Sequence, residues 1–220
     1  MQLKLIISLE SDALIASGEG YGAVIDSDII FDDLGIPYIP AKRIKGCLKD
    51  SLKEISEIFF NSNIGKTLPL DLVFGNNYEN IQSEVNFSNL TIEEYNNNYE
   101  WLKYFTTEKD ISKFISQNLI TSFFTDIRQQ TCIDEKDGVS KDHSLRTSRV
   151  LKKGLKFEGF LDINNERELI LDFIILACIN LRRIGSNRTR GFGEISCEIY
   201  DDKNNLLNNT LLKKLEALCK

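Results

Sequence analysis

The chain is poor in histidine, in proline and in paired cysteine. Its 220 residues include one histidine, His143, three prolines and five cysteines. A single histidine leaves acid–base chemistry near neutral pH with one imidazole candidate. The cysteines are Cys47, Cys132, Cys178, Cys197 and Cys219, odd in number and with no C-x-x-C pair. Their spacing argues against a zinc site and against a disulfide framework, and a reducing, cytoplasmic setting is expected. No proline- or serine-rich linker divides the chain and no internal repeat is visible, so one domain over residues 1–220 is expected. Long apolar runs are missing too. The longest, Leu169 to Leu181, is interrupted by Asp172 and Asn180 and is too short to span a bilayer. The sequence opens directly on a strand-like pattern, so no signal peptide is expected.

An excess of positive charge is also absent. The formal net charge is -6, which taken as an average argues against nucleic-acid binding, because Lys and Arg drive phosphate contact. The charges are partitioned, however. Leu34 to Lys49 holds four basic residues and no acid, and Phe173 to Gly193 holds four arginines and no acid. Lys141 to Lys156 has six Lys or Arg against one acid, Asp142. Local patches of this kind grip RNA whatever the mean charge.

What the chain has is an ordinary globular composition, 42% hydrophobic and 27% charged, enough to bury a core. Met1–Glu10 alternates as a strand, and Leu155–Ile163 and Gly193–Tyr200 read the same way. Ala41–Phe60 has helical spacing through Ile44, Leu48, Leu52, Ile55, Ile58 and Phe59. Pro40 stands before its first turn, where proline is tolerated. Glu166–Ile184 and Leu206–Lys220 read as helices. Gly35–Pro40 is extended, as residues before proline must be. Ser17–Gly22 reads as a glycine-rich loop and Phe74-Gly75-Asn76 as a turn. Residues 76–120 look like an insertion with one or two helices between Leu90 and Leu119. Thr121–Thr131 reads as a strand, and Cys132–Ser148 as a projecting loop or hairpin. The order strand, helix, insertion, strand, helix, strand predicts an α+β fold with a ferredoxin-like (RRM-like) core, an inserted helical region and a projecting thumb hairpin.

Two segments carry anion-binding chemistry. Arg182 to Ile195 packs four arginines and three glycines into fourteen residues between a helix and a strand. Glycines let bare backbone N–H groups approach phosphate while guanidinium forks close from the sides. Arg188 and Arg190, with Gly185, Ser186, Asn187 and Gly191, form the expected clamp. The competing reading is a tight helix-to-strand turn whose arginines pair with acids. The second segment is the start of the Ala41 helix. Lys42, Arg43 and Lys45 lie at a helix N-terminus, where cations are unfavourable without an anion.

These segments together resemble the RAMP superfamily of CRISPR effector proteins, and within it the repeated backbone subunit of type III (Csm/Cmr) complexes. Gly22-Ala23-Val24-Ile25-Asp26-Ser27, followed by Ile36-Pro37-Tyr38-Ile39-Pro40-Ala41-Lys42-Arg43-Ile44-Lys45-Gly46, is similar to the family's "G-A-I-D-S … P-x-I-P-G-S-S-L-K-G" segment. Ile127-Arg128 through Arg149, then Gly154-Leu155-Lys156-Phe157-Glu158, looks like its thumb hairpin and the strand after it. Gly185–Gly193 is similar to its C-terminal glycine-rich loop. Ala41-Lys42-Arg43 stands where the family often has Gly-Ser-Ser, and Asp28 where proline is common.

The resemblance implies a backbone subunit that binds CRISPR guide RNA and cuts complementary target RNA. It places Asp26 as the catalytic residue and metal ligand, with Asp28 the runner-up, and Mg²⁺ or another divalent metal as cofactor. Such an ion would polarise the scissile phosphate or supply hydroxide. The residues alone also allow an acidic turn that caps local backbone donors. In the thumb, about 128–153, Arg128, Arg146 and Arg149 are implied RNA contacts. Partners would be guide RNA, target RNA, copies of the same chain and other type III subunits, with no membrane. Two alternatives belong to the same family. One is a non-catalytic scaffold. The other is a guide-processing endonuclease, which would need His143 or a substitute base.

Overall fold

The computed structural model describes residues 1–18, 20, 24–61, 70–76, 79–134, 136–164 and 168–218, leaving aside the side chains of 59, 168 and 214–218. Part of the glycine-rich stretch expected at Ser17–Gly22 lies outside them. So do residues 65–69, just before the expected turn at Phe74–Asn76.

The strand read at Met1–Glu10 forms as β1 (Gln2–Leu9) and is the middle of an antiparallel sheet. Its alternation is exact in burial: Leu3, Leu5, Ile7 and Leu9 are buried while Gln2, Lys4, Ile6 and Ser8 face the other way. β7 (Lys156–Ile163) and β8 (Ile195–Tyr200) flank it, with Leu5 opposite Gly159 on one side and Ile199 on the other.

The far side of β7 carries β3 (Val85–Phe87) and β4 (Leu90–Ile92), and β4 pairs with β2 (Tyr38–Ile39). Gly159 lets this edge close. A Cβ there would collide with Leu90 Cδ2 and lie 2.8 Å from the Asn89 carbonyl oxygen. Ser88, between β3 and β4, receives the Phe160 N–H on its Oγ at 2.7 Å. The polar segment 76–120 therefore supplies the sheet with two short strands. Two three-residue strands are too short to show a period of two in the sequence.

Helix α1 (Ala41–Asn61) and helix α5 (Glu168–Asn180) cover one face of the sheet. Ile44, Leu48, Leu52 and Ile55 of α1 are buried, the stripe expected of an amphipathic helix. Ser51 Oγ donates to the Ala177 carbonyl at 2.8 Å and locks the two helices in register. α5 is apolar nearly all round because it lies between α1, β8 and α6 (Asn208–Leu218). The chain order β1, α1, β3–β4, β7, α5, β8 with spatial order β4-β7-β1-β8 is the ferredoxin-like arrangement expected from the sequence.

Several boundaries differ from the sequence reading. α5 ends at Asn180 rather than Ile184, because Arg183 bridges to Glu194 and the Ile184 N–H donates to the Gly193 carbonyl at 2.8 Å. The segment read as a strand at Thr121–Thr131 begins as helix α4 (Gln117–Phe124) and becomes strand β5 (Thr125–Gln130) only afterwards. Its helical start is set by Ser116, whose Oγ caps the Leu119 N–H at 3.3 Å, and by burial of Ile120, Thr121 and Phe124. A short helix α2 (Leu70–Phe74) precedes the turn at Gly75, whose φ is 75°.

Helix α3 (Tyr95–Thr107) has no buried residue and is moored by two tyrosines. Tyr95 Oη donates to Asp32 at 2.8 Å, and Tyr99 Oη to Asp33 at 3.1 Å. Burial, then the Asp32 carboxylate, pushes the Tyr95 hydroxyl well above its ordinary pKa. Asp32 also receives the Leu34 and Ile36 N–H groups at 2.9 and 2.8 Å, which shapes the approach to β2 and α1. Between α3 and α4 runs an apolar groove of about 420 Å³ with Trp101 and Phe123 at its surface. Among the described residues, no helix is long and apolar enough to cross a membrane.

Candidate nucleic-acid interface

The start of α1 is cationic and exposed. No acidic residue lies in its first turn, and Lys42 and Arg43 are both at the surface. The Ala41 N–H is capped from a distant segment by Asn89 Oδ1 at 2.9 Å. Arg43 spends one N–H on the Ala16 carbonyl at 2.7 Å, which ties the helix to the loop after β1. Lys45 points elsewhere. It lies 6.0 Å from the centre of the Phe87 ring and lines a separate groove rich in amides, among them Asn76, Asn80 and Asn86. Burial, with Lys49 adding to it, lowers its pKa.

The arginine–glycine loop folds into a tight connection. Gly185 and Gly193 have φ of 82° and 74°, and a Cβ at either would collide with a carbonyl oxygen, of Leu14 and Ile184 respectively. Gly191 also has φ of 82° but opens onto empty space. The N–H groups of Ile184, Ser186, Arg190 and Gly193 all donate to backbone carbonyls. Close chain packing therefore accounts for Gly185 and Gly193, and these four N–H groups are not turned toward a ligand. The side chains carry the open valences. Asn187 (φ 58°) begins a single 3-10 turn, Arg188–Arg190, that sends Arg188 to one side. Arg190 goes to the other, where its guanidinium donates to Gln130 Oε1 of β5 at 3.1 Å.

The tertiary structure joins the two cationic segments. Lys42 and Arg43 of α1 and Gly185, Ser186 and Arg188 of the loop line one open cleft of about 530 Å³. Ile30, Pro40, Gly46, Cys47 and Asp50 complete it. Among the described residues, the Lys42 ammonium and the Arg188 guanidinium have no hydrogen-bond or ion-pair partner. Burial raises the pKa of the Cys47 thiol, with Arg188 opposing it, so the sulfur stays protonated as part of the wall. Asp50 was not singled out in the sequence; its i, i+4, i+8 spacing with Lys42 and Gly46 on one helix was the available signal.

The thumb is a hairpin of β5 and β6 (Arg146–Leu151), paired antiparallel and separate from the main sheet. Residues 26–28 run beside Thr147 to Arg149 in its root, the paired stretch of β5 and β6. The Asp26 N–H donates to the Thr147 carbonyl at 2.8 Å, and Asp26 Oδ2 receives the Thr147 N–H at 2.7 Å. Asp26 is exposed, so one carboxylate is held at the thumb root facing solvent. Asp28, two residues on, is buried and paired with Arg149 at 3.3 Å, with side chains 10% and 19% exposed. The Arg149 guanidinium also lies 5.6 Å from the centre of the Phe31 ring. Arg128 pairs with Asp12, its Nε at 3.1 Å. Arg146 is exposed at the first position of β6, next to Thr147. His143 (φ 58°) is exposed near the hairpin tip and does not line the cleft.

A divalent metal would find little protein to hold it. Among the described residues no three His, Cys, Asp or Glu side chains gather as a metal site. Asp26 has one carboxylate, with Oδ2 already accepting from Thr147. Mg²⁺ is commonly held by one or two carboxylates together with substrate phosphates, and Asp26 fits only that arrangement.

A family model described as the RAMP superfamily matches residues 7–196. The chain belongs to the RAMP superfamily. The match runs from β1 into β8 and takes in the α1 start, the thumb and the arginine–glycine loop. Among solved structures, this RAMP protein is similar to a chain of the type III-B Cmr-beta cryo-EM structure in the apo state. The TM-score is 0.63 at 14% identity, covering 92% of this chain and 98% of that one. It is also similar to a chain of the type III-B Cmr-beta cryo-EM structure bound to cognate target RNA. Here the TM-score is 0.62 at 15% identity, covering 90% of this chain and 97% of that one. At such identities the likeness establishes the fold. No curated protein matches the chain.

Proposed function

We propose that this chain is a guide-RNA-binding backbone subunit of a type III CRISPR effector complex, and that Asp26 serves metal-dependent cleavage of the bound target RNA. The observation that carries the RNA-binding half is the cleft. Two cationic segments about 140 residues apart in sequence converge on it, and Lys42 and Arg188 remain unpaired there among the described residues. Unpaired cations at a helix N-terminus are stabilised by an anion, and a cleft open at the surface suits a continuous phosphate backbone. Superfamily membership, and neighbours that are Cmr-beta chains, one of them in a complex with target RNA, support the same reading.

The cleaving half rests on Asp26. Its backbone and its Oδ2 are both fixed by Thr147, so the carboxylate is preorganised beside the hairpin expected to lie over a guide–target duplex. Asp26 would hold the divalent ion jointly with a target phosphate. The ion, when bound, supplies positive charge to the scissile phosphate. The protein's part is to hold the carboxylate in place and, through the thumb, to position the strand. Exposed Ile127, Ile133, Val139 and Leu145 on the thumb suit contact with a neighbouring copy or another subunit.

Asp26→Asn tests the activity without breaking the Thr147 bond, because the amide oxygen still accepts. In the assembled complex, guide binding should persist while cleavage of a guide-matched RNA is lost. Undiminished cleavage removes Asp26 from the chemistry. A second reading, a non-catalytic scaffold, is favoured by the absence of a multi-ligand metal site among the described residues. It expects no divalent-dependent cleavage at this subunit even with Asp26 intact.

A further inference from the structure

Two features of the cleft are unexplained by phosphate binding. The first is Gly46. It lies inside α1, is exposed, and has nothing within 4 Å of where a Cβ would stand. Glycine in a helix interior is less stable than alanine, and neither packing nor a left-handed φ requires it here. The second is Asp50, an exposed carboxylate in the wall of a cationic cleft. Among the described residues it has no ion-pair or hydrogen-bond partner, although Lys42, Arg43 and Arg188 line the same space. A carboxylate there repels phosphate and needs another reason to be present.

We infer that Gly46 and Asp50 form a ribose seat that makes the cleft selective for RNA over DNA. The inference rests on the reading of the cleft as an RNA site. Lys42, Gly46 and Asp50 fall at i, i+4 and i+8, on one face of α1, with a rise of about 6 Å per step. A strand whose phosphate meets Lys42 and Arg188 runs its sugar over Gly46, where the bare backbone allows close approach. The ribose 2′-hydroxyl then donates to the Asp50 carboxylate, which only accepts. A hydroxyl held this way is what tells RNA from DNA at a given position. A free carboxylate beside phosphate penalises any strand that cannot donate to it, so discrimination comes from both attraction and repulsion.

The test uses the full chain freed of co-purifying nucleic acid and one fluorescein-labelled single strand made as RNA, as 2′-fluoro RNA and as DNA. The 2′-fluoro strand keeps the sugar but loses the hydroxyl donor. The wild type should bind RNA about tenfold more tightly than the 2′-fluoro strand, in line with a charge-assisted hydrogen bond. Asp50→Ala should bring that ratio to about one. Any general relief of repulsion acts on all three strands and cancels in the ratio. Gly46→Ala should raise the melting temperature by about 2 °C and weaken RNA binding, the opposite of what a structural glycine would do. Equal wild-type affinity for RNA and the 2′-fluoro strand, or a ratio unchanged in Asp50→Ala, overturns the seat while leaving RNA binding at the cleft intact. RNA affinity indifferent to Lys42→Ala and Arg188→Ala instead overturns the reading of the cleft, and the seat with it.

Discussion

The cleft and the thumb root are built from the same residue types and use them in opposite ways. At the thumb root, Arg149 is paired with buried Asp28 and Arg128 with Asp12. In the cleft, Lys42 and Arg188 face open space, and among the described residues no acid pairs with them. An arginine already paired gains less from a phosphate, because it must first give up its carboxylate. On the proposed reading, guide binding therefore belongs mainly to the cleft, while Arg149 and Arg128 tie the hairpin to Asp28 and Asp12. Arg190 stands between the two, since its bond to Gln130 ties the loop to β5.

The sharpest way to break this division is at Asp28. Arg149→Ala leaves a buried carboxylate without its partner and should cost about 3 kcal/mol of stability, read by denaturant unfolding. RNA affinity at the cleft should change little, and a large loss of affinity with stability intact would reverse the assignment. Next comes the double variant Lys42→Ala/Arg188→Ala. It should weaken single-stranded RNA binding by about 100-fold, and the slope of log affinity against log salt should fall by about 1.4. The fold itself should melt at nearly the wild-type temperature, because among the described residues neither side chain has a partner to lose.

The glycines give a smaller contrast within the loop. Gly185→Ala drives a Cβ into the Leu14 carbonyl at positive φ and should cost more than about 2 kcal/mol. Gly191→Ala meets nothing and should cost about 1 kcal/mol from φ alone. Equal costs would mean that packing against Leu14 is not what Gly185 is for. The smallest effect is expected at Lys45. Lys45→Met should change guide affinity less than threefold, because that ammonium faces the amide-lined groove beside Phe87 rather than the cleft. An effect matching that of Lys42→Met would extend the RNA path around α1.

Legibility in the sequence followed the range of the forces involved. β1, α1, β7 and β8 were readable because each has a long, regular apolar period. The second half of α4, from Thr121, was read as strand because the helix depends on one Ser116 cap and on burial against the rest of the chain. β3 and β4 were hidden because three-residue strands form only when β7 offers a partner and Gly159 leaves room. At the site, the sequence marked both cationic segments that line the cleft but treated Lys42, Arg43 and Lys45 as one group. The turn of α1 sends Lys45 to another groove. Nor could the sequence show that Arg128 and Arg149 pair with Asp12 and Asp28, since those carboxylates lie more than a hundred residues away.

Asp26 became a candidate through the family resemblance; by itself, the sequence determined the ferredoxin-like order of elements and the segregation of positive charge into a few segments. These are local or periodic properties, and local physics writes them into the chain. Only the tertiary structure decided which cations stay unpaired among the described residues, that the α1 start and the arginine–glycine loop share one cleft with Gly46 and Asp50, and that Asp26 is fastened to Thr147 at the thumb root. Those outcomes depend on pairings between residues distant in sequence, and pairing energies are settled only when the core brings the partners together.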